Sequence, residues 1–92
     1  MKYNVEPMPQ TNISKAQAKA KKLGVTVRAS TRKHKKLDVY KDGTYVTSIG
    51  DTRYSDFLQH GDEDRRARYK KRHENDRHRK GTAGYYADQI LW

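Results

Sequence analysis

The sequence predicts an α+β fold: a small domain with a central β-hairpin or three-stranded antiparallel sheet over residues 25–49, flanked by a short N-terminal helix (14–23), a long charged helix (62–76) and a short C-terminal helix (84–91). Three observations predict it. Asp42-Gly43 lies between two β-prone runs, and it is the dipeptide a two-residue type I′ hairpin needs, because both turn positions take positive φ. An Ala/Lys-rich stretch ends at Gly24, which suits the left-handed residue that closes a helix. Residues 62–64 are all acidic and bases follow them, the order the helix dipole favours.

Residues 1–13 contain Pro7 and Pro9 and no periodic pattern, and read as an extended arm. The single domain then covers 14–92. Ser14 is the expected N-cap of the first helix, with Ile13, Ala16, Ala20 and Leu23 near one face. Val25-Thr26-Val27 is β-branched enough for a short strand. In the hairpin, a two-residue turn sets Lys41 opposite Thr44, Tyr40 opposite Tyr45 and Val39 opposite Val46. One face then carries Leu37, Val39 and Val46, and the other a Tyr40–Tyr45 cross-strand pair. A lone hairpin is marginal, so Val25 and Val27 or the later aromatics are expected to cover its aliphatic face.

Gly50-Asp51 marks another turn, and Tyr54, Phe57 and Leu58 form a second apolar cluster ended by His60-Gly61. His60 is expected to close a turn or cap the next helix. That helix has acid-first pairs Asp62–Arg66, Asp64–Arg68 and Glu74–His78. Only Ala67 and Tyr69 are apolar between Gly61 and Gly81, so it is either solvated or pressed against a charged partner. The closing Tyr85–Trp92 segment either folds back on the hairpin or docks elsewhere, and the shortage of core volume favours folding back. The expected core is Val39, Tyr40, Tyr45, Val46, Tyr54, Phe57, Tyr69, Leu91 and Trp92.

Composition narrows the function. Hydrophobic residues are 33% of the 92 and charged residues 35%, against roughly 45–50% and 25% in ordinary domains. So small an apolar fraction leaves little material for a water-excluding catalytic pocket. The chain is expected not to be an enzyme, with no small-molecule substrate and no cofactor. Without Cys there is no disulfide or thiolate metal site. His73 and His78 diverge on a helix, His34 lies in a basic run, and no metal site is expected. A nuclease on Asp51, Asp56 and Glu63 is the sharp alternative. No apolar run reaches the roughly 20 residues of a membrane span, and the start lacks a secretory signal, so an intracellular protein is expected.

The net charge of +10 opposes compaction, and is instead suited to attracting phosphate or acidic protein. No carboxylate occurs from Pro7 to Leu37, and nine more Lys or Arg fall in 65–80. The basic block 15–36 supplies Lys15, Lys19, Lys22, Arg28, Arg32, Lys33, Lys35 and Lys36 as polyanion-binding candidates. The charged helix supplies Arg65, Arg68, Lys71 and Arg72.

Several segments also carry a family likeness. They are Ser14–Ala20 with Leu23-Gly24; Lys35-Lys36-Leu37; Ile49-Gly50-Asp51 with Tyr54-Ser55-Asp56-Phe57; His60, Asp62, Arg65, Arg66, Tyr69 and Arg72-His73; and Thr82-Ala83-Gly84 with Ile90-Leu91-Trp92. In this order and spacing the chain resembles a family of small basic proteins encoded mainly by large double-stranded DNA viruses of eukaryotes, including algal viruses and relatives of the giant amoebal viruses. The resemblance implies a viral origin, no catalysis, and a place in the virion or elsewhere in the infected cell. Its partners would be nucleic acid, double-stranded DNA first, or acidic viral structural proteins. A non-virion factor in replication or transcription is the alternative. The family supplies no functional residue. In its light, Tyr69 and Arg72-His73 are expected to pin the charged helix to the Tyr54–Phe57 cluster and Trp92 to cap the core, leaving the N-terminal basic block as the better binding surface.

Overall fold

A computed structural model describes residues 12–92, so the expected arm (1–13) lies outside the described residues except for Asn12 and Ile13, which begin the first helix. Helix α1 spans Ile13–Lys22 and starts earlier than expected. Its N-cap is Asn12, not Ser14, because the Asn12 carboxamide accepts the Lys15 backbone N–H at 3.1 Å. Strands β1 (Thr26–Ala29), β2 (Lys35–Lys41) and β3 (Thr44–Asp51) form one antiparallel sheet in that order. Three helices follow: α2 (Phe57–His60), α3 (Glu63–Arg72) and α4 (Ala83–Ile90). The α+β class and the three-stranded sheet stand as expected.

Asp42 and Gly43 both have positive φ (51° and 81°), as the hairpin requires. Lys41 pairs with Thr44 and Tyr40 with Tyr45, but Val39 then pairs with Thr47 rather than Val46. A bulge between Val39 and Tyr40 takes up the extra residue. The reason lies in the alternation of strand faces. In an unbulged register Ile49 would point with the tyrosines. The one-residue slip brings Ile49 opposite Leu37, on the core face, and sets Ser48 opposite Asp38 on the other.

The core therefore differs from the expected one. It consists of Ala16, Ala20, Val25, Val27, Leu37, Val39, Ile49, Tyr86, Ile90 and Leu91. Helix α1 packs over β1, α4 packs over β3, and the two helices touch. The fully buried Ala16 and Ala20 let α1 approach closely, so aliphatic side chains fill the layer and most rings are displaced to its edge. Of the expected core, Val39 and Leu91 are buried, while Tyr40, Val46, Phe57, Tyr69 and Trp92 are half-buried. Tyr45 (39% exposed) and Tyr54 (70% exposed) are surface residues. The C-terminal segment folds back: Ile90 and Leu91 are buried, and the Phe57 N–H donates to the Leu91 carbonyl at 3.1 Å.

The charged helix is shorter than expected and stops at Arg72. Residues 73–80 form turns in which the Asp76 and Arg77 N–H groups both return to the His73 carbonyl. Tertiary pairing accounts for the early stop. Turning back lets the Arg77 guanidinium reach the buried Asp88 at 3.6 Å, where Lys70 already donates at 2.7 Å. A carboxylate that deep in the protein needs such partners.

Candidate nucleic-acid interface

A cleft of about 650 Å³ opens between the β2–β3 end of the sheet and α3. Its aromatic lining is a stack. Tyr69 lies flat on Trp92 (centroids 4.2 Å apart, planes 4° apart), and His73 tilts against Tyr69 at 4.3 Å. Burial, with Asp88 nearby, pushes the Tyr69 phenol up to about 12, so it stays a neutral donor in the physiological range. Exposed Tyr54 stands on the cleft lining.

The charges divide into two groups. One holds the fold. Lys36 Nζ donates to Asp56 Oδ2 and to Gln59 Oε1, both at 2.7 Å, with the lysine side chain 8% and the aspartate side chain 2% exposed. Asp56 also N-caps α2 in a capping box with Gln59. Arg66 lies over the Phe57 ring at 4.8 Å and donates from Nε to the Trp92 carbonyl at 2.8 Å. Arg53 grips Asp51 with Nε and Nη2 at 2.9 and 2.8 Å, and these bonds hold the Asp51 carboxyl well below the usual range.

The other group is free. Lys35, Arg65, Arg68 and Arg72 line the cleft, are exposed, and have no ion pair among the described residues. The spacing 65, 68, 72 puts the three arginines on one helical face, and Tyr69 and His73 share that side. Because both cleft carboxylates, Asp51 and Asp56, already have cations, the concavity has an uncompensated positive field. Phosphate oxygens are the complement to such a field.

The structure sorts the expected polyanion contacts. Lys35, Arg65, Arg68 and Arg72 converge on the cleft, whereas Lys36 is committed to the buried pair with Asp56 and is not a surface cation. Lys19 is half-buried, and burial followed by Arg66 and Lys70 lowers its pKa. Lys15, Lys22, Lys33 and Lys71 are exposed outside the cleft. Arg28 and Arg32 lie over the Tyr40 and Tyr45 rings at 4.3 and 4.6 Å, a second basic surface on the tyrosine face of the sheet. Asp38 lies beneath it. Burial opposes its charge, but hydrogen bonds from Ser48 and Ser30 and the Arg32 and Arg28 cations outweigh that and hold the carboxyl low. Pinning of α3 falls to Arg66 and the Tyr69–Trp92 stack rather than to Arg72, which is exposed. Two cleft residues, Tyr54 and His73, were not expected as site residues. The arginine spacing with Tyr69 and His73 alongside was the available signal for the histidine.

His60 closes the turn ahead of α3, one of the two roles expected of it, while the N-cap of α3 is Asp62. Its Nδ1 accepts the Asp62 backbone N–H at 2.8 Å, which places the proton of the neutral ring on the buried Nε2. That Nε2 has no hydrogen-bond partner among the described residues. Burial first, and Arg65 next, lower its pKa from 6.5. The unfolded chain therefore takes up this proton at higher pH than the folded one, so stability falls as pH drops through the ordinary histidine range. An NMR titration of the His60 ring should give a midpoint below 6.5; a midpoint at or above it contradicts the assignment.

Of the carboxylates proposed for a nuclease, Asp51 and Asp56 line the cleft and Glu63 does not. Asp51 faces Arg53, Asp56 faces Lys36, and Glu63 is exposed with Arg66 at 3.5 Å. No three His, Asp or Glu residues are placed to hold a metal ion among the described residues. No described helix is long and apolar enough to cross a membrane.

No curated protein and no solved structure matches this chain. Residues 25–73 match a family of unknown function, DUF5754. The match runs from the start of the sheet to the end of α3, and includes Lys35, Tyr54, Arg65, Arg68, Tyr69, Arg72 and His73 of the cleft. Since more than half its length is covered, the chain belongs to the DUF5754 family.

Proposed function

We propose that the protein is a non-enzymatic nucleic-acid-binding protein that lays Lys35, Arg65, Arg68 and Arg72 against phosphates. One observation carries this reading: four exposed cations converge on one cleft whose carboxylates are already neutralised by other residues. The resemblance to proteins of large DNA viruses supports a place in the virion, beside packaged DNA or an acidic capsid surface. Exposed Tyr54 beside the cations favours a second setting, on nucleic acid during replication or transcription, since packaged duplex leaves no base for it to meet. Mass spectrometry of purified virions separates the two, by whether the chain is present at structural copy number.

Contact with four phosphates sets a salt dependence. Log K should fall with log salt at a slope of about −3 on single strands, roughly 0.7 per phosphate. Changing Lys35, Arg65, Arg68 or Arg72 singly to Gln should reduce that slope by about 0.7 each, while Lys71→Gln outside the cleft leaves it nearer the wild-type value. Fluorescence anisotropy with a labelled oligonucleotide measures both. Binding indifferent to salt, or a slope unmoved by all four changes, sinks the proposal.

A further inference from the structure

The most exposed large hydrophobic side chain of the described residues is Tyr54, at 70%. It lines the cleft that holds the four free cations, and no other ring stacks on it among the described residues. In a domain whose apolar side chains are scarce, an aromatic ring left in water contributes nothing to the core. A ring beside cations is what a base-stacking platform consists of, because every nucleobase presents a π-face.

We infer that the cleft takes an unpaired nucleotide of a single strand, its base stacking on Tyr54 and its flanking phosphates held by Lys35, Arg65, Arg68 and Arg72. This rests on the cleft being a nucleic-acid site. The shape of the cleft selects the single strand. Its cations surround a concavity of about 650 Å³, within the roughly 300–1,000 Å³ typical of small-ligand sites. A nucleotide enters such a space, whereas a duplex keeps its bases stacked inside a rod too wide for it. From Arg65 to Arg72 the helix axis advances about 10 Å, long enough for the arginines to follow successive phosphates of an extended strand. Tyr69 and Trp92 are already stacked on each other, so Tyr54 is the ring left to receive a base.

The test uses the whole chain with two labelled probes, a 12-nucleotide oligothymidylate and a hairpin duplex of equal phosphate number. Trp92 is the sole tryptophan and lines the cleft, so its fluorescence reports occupancy. The expected result is tighter binding of the single strand with a change in Trp92 emission. Tyr54→Ala should weaken that binding about tenfold, within the range of base–aromatic stacking, with Tyr54→Phe close to wild type and duplex binding unchanged by either. If Tyr54→Ala leaves single-strand binding intact, or weakens duplex and single strand alike, the stacking inference is overturned while the cationic reading stands. If neither probe binds at low salt, both readings fall together. Tyr54 is on the surface, so its replacement does not threaten the fold.

Discussion

Lys36→Met is expected to destabilise the domain by about 3–5 kcal/mol, the usual cost of stripping one partner from a buried ion pair. The change keeps the aliphatic stem but removes the ammonium that stands 2.7 Å from both Asp56 Oδ2 and Gln59 Oε1. Asp56 is 1% exposed, so a carboxylate that water hardly reaches would lose its Lys36 ammonium with nothing taking that cation's place. A domain of this size holds only about 5–10 kcal/mol in all. Urea denaturation should therefore find Lys36→Met close to the limit of folding. The companion Asp56→Asn in the same chain removes the buried charge while keeping an N-cap that α2 accepts. The double variant should recover at least half of the loss. A cost below about 1 kcal/mol for Lys36→Met, the range of exposed pairs, would show that this contact is a surface interaction in solution.

Gly50→Ala is the second large effect. Gly50 has φ +81°, and a Cβ there would lie 2.9 Å from Leu91 Cδ1, 2.9 Å from Lys36 Cδ and 3.0 Å from Lys36 Cβ. The left-handed conformation alone costs a residue with a Cβ about 1–2 kcal/mol, and overpacking adds about 1–3 kcal/mol. The clash is poorly relieved, since Leu91 is buried and Lys36 is tied to Asp56. A loss of about 3 kcal/mol lowers Tm by roughly 12–24 °C in a domain of this length. Gly24 is the internal control. It has a similar φ of +79° but no atom of the described residues within 4 Å of its would-be Cβ, so Gly24→Ala should show only the backbone cost. Equal Tm shifts for the two variants would mean that the packing around Gly50 does not matter.

These two residues show where the sequence was readable and where it was not. Asp42-Gly43 announced its hairpin because few dipeptides accept two positive φ values in succession. The stop at Gly24 and the acid-led start of α3 were legible for similarly local reasons. The bulge at Val39/Tyr40 was not, since nothing within the hairpin penalises the straight register. The penalty comes from burying Ile49, and only the helices covering the sheet impose it. Tyr54 was misassigned to the core on its spacing to Phe57 and Leu58, a pattern that does not say which side faces inward. The end of α3 is not legible because residues 73–76 continue a helical charge pattern, while Asp88, eleven positions beyond Arg77, draws that arginine back.

By itself the sequence determined the α+β class, the order of the sheet and of helices α1, α3 and α4, and the large surplus of positive charge, because propensity, turn chemistry and composition act over a few residues; the four-residue α2 was not among the expected elements. Only the tertiary structure decided which cations are spoken for. Among the described residues, Lys36, Arg66, Lys70 and Arg77 bond to groups brought near by folding, and Lys35, Arg65, Arg68 and Arg72 do not. In the unfolded chain every lysine and arginine is equally hydrated; burial makes some indispensable to the fold and leaves the rest able to bind something else.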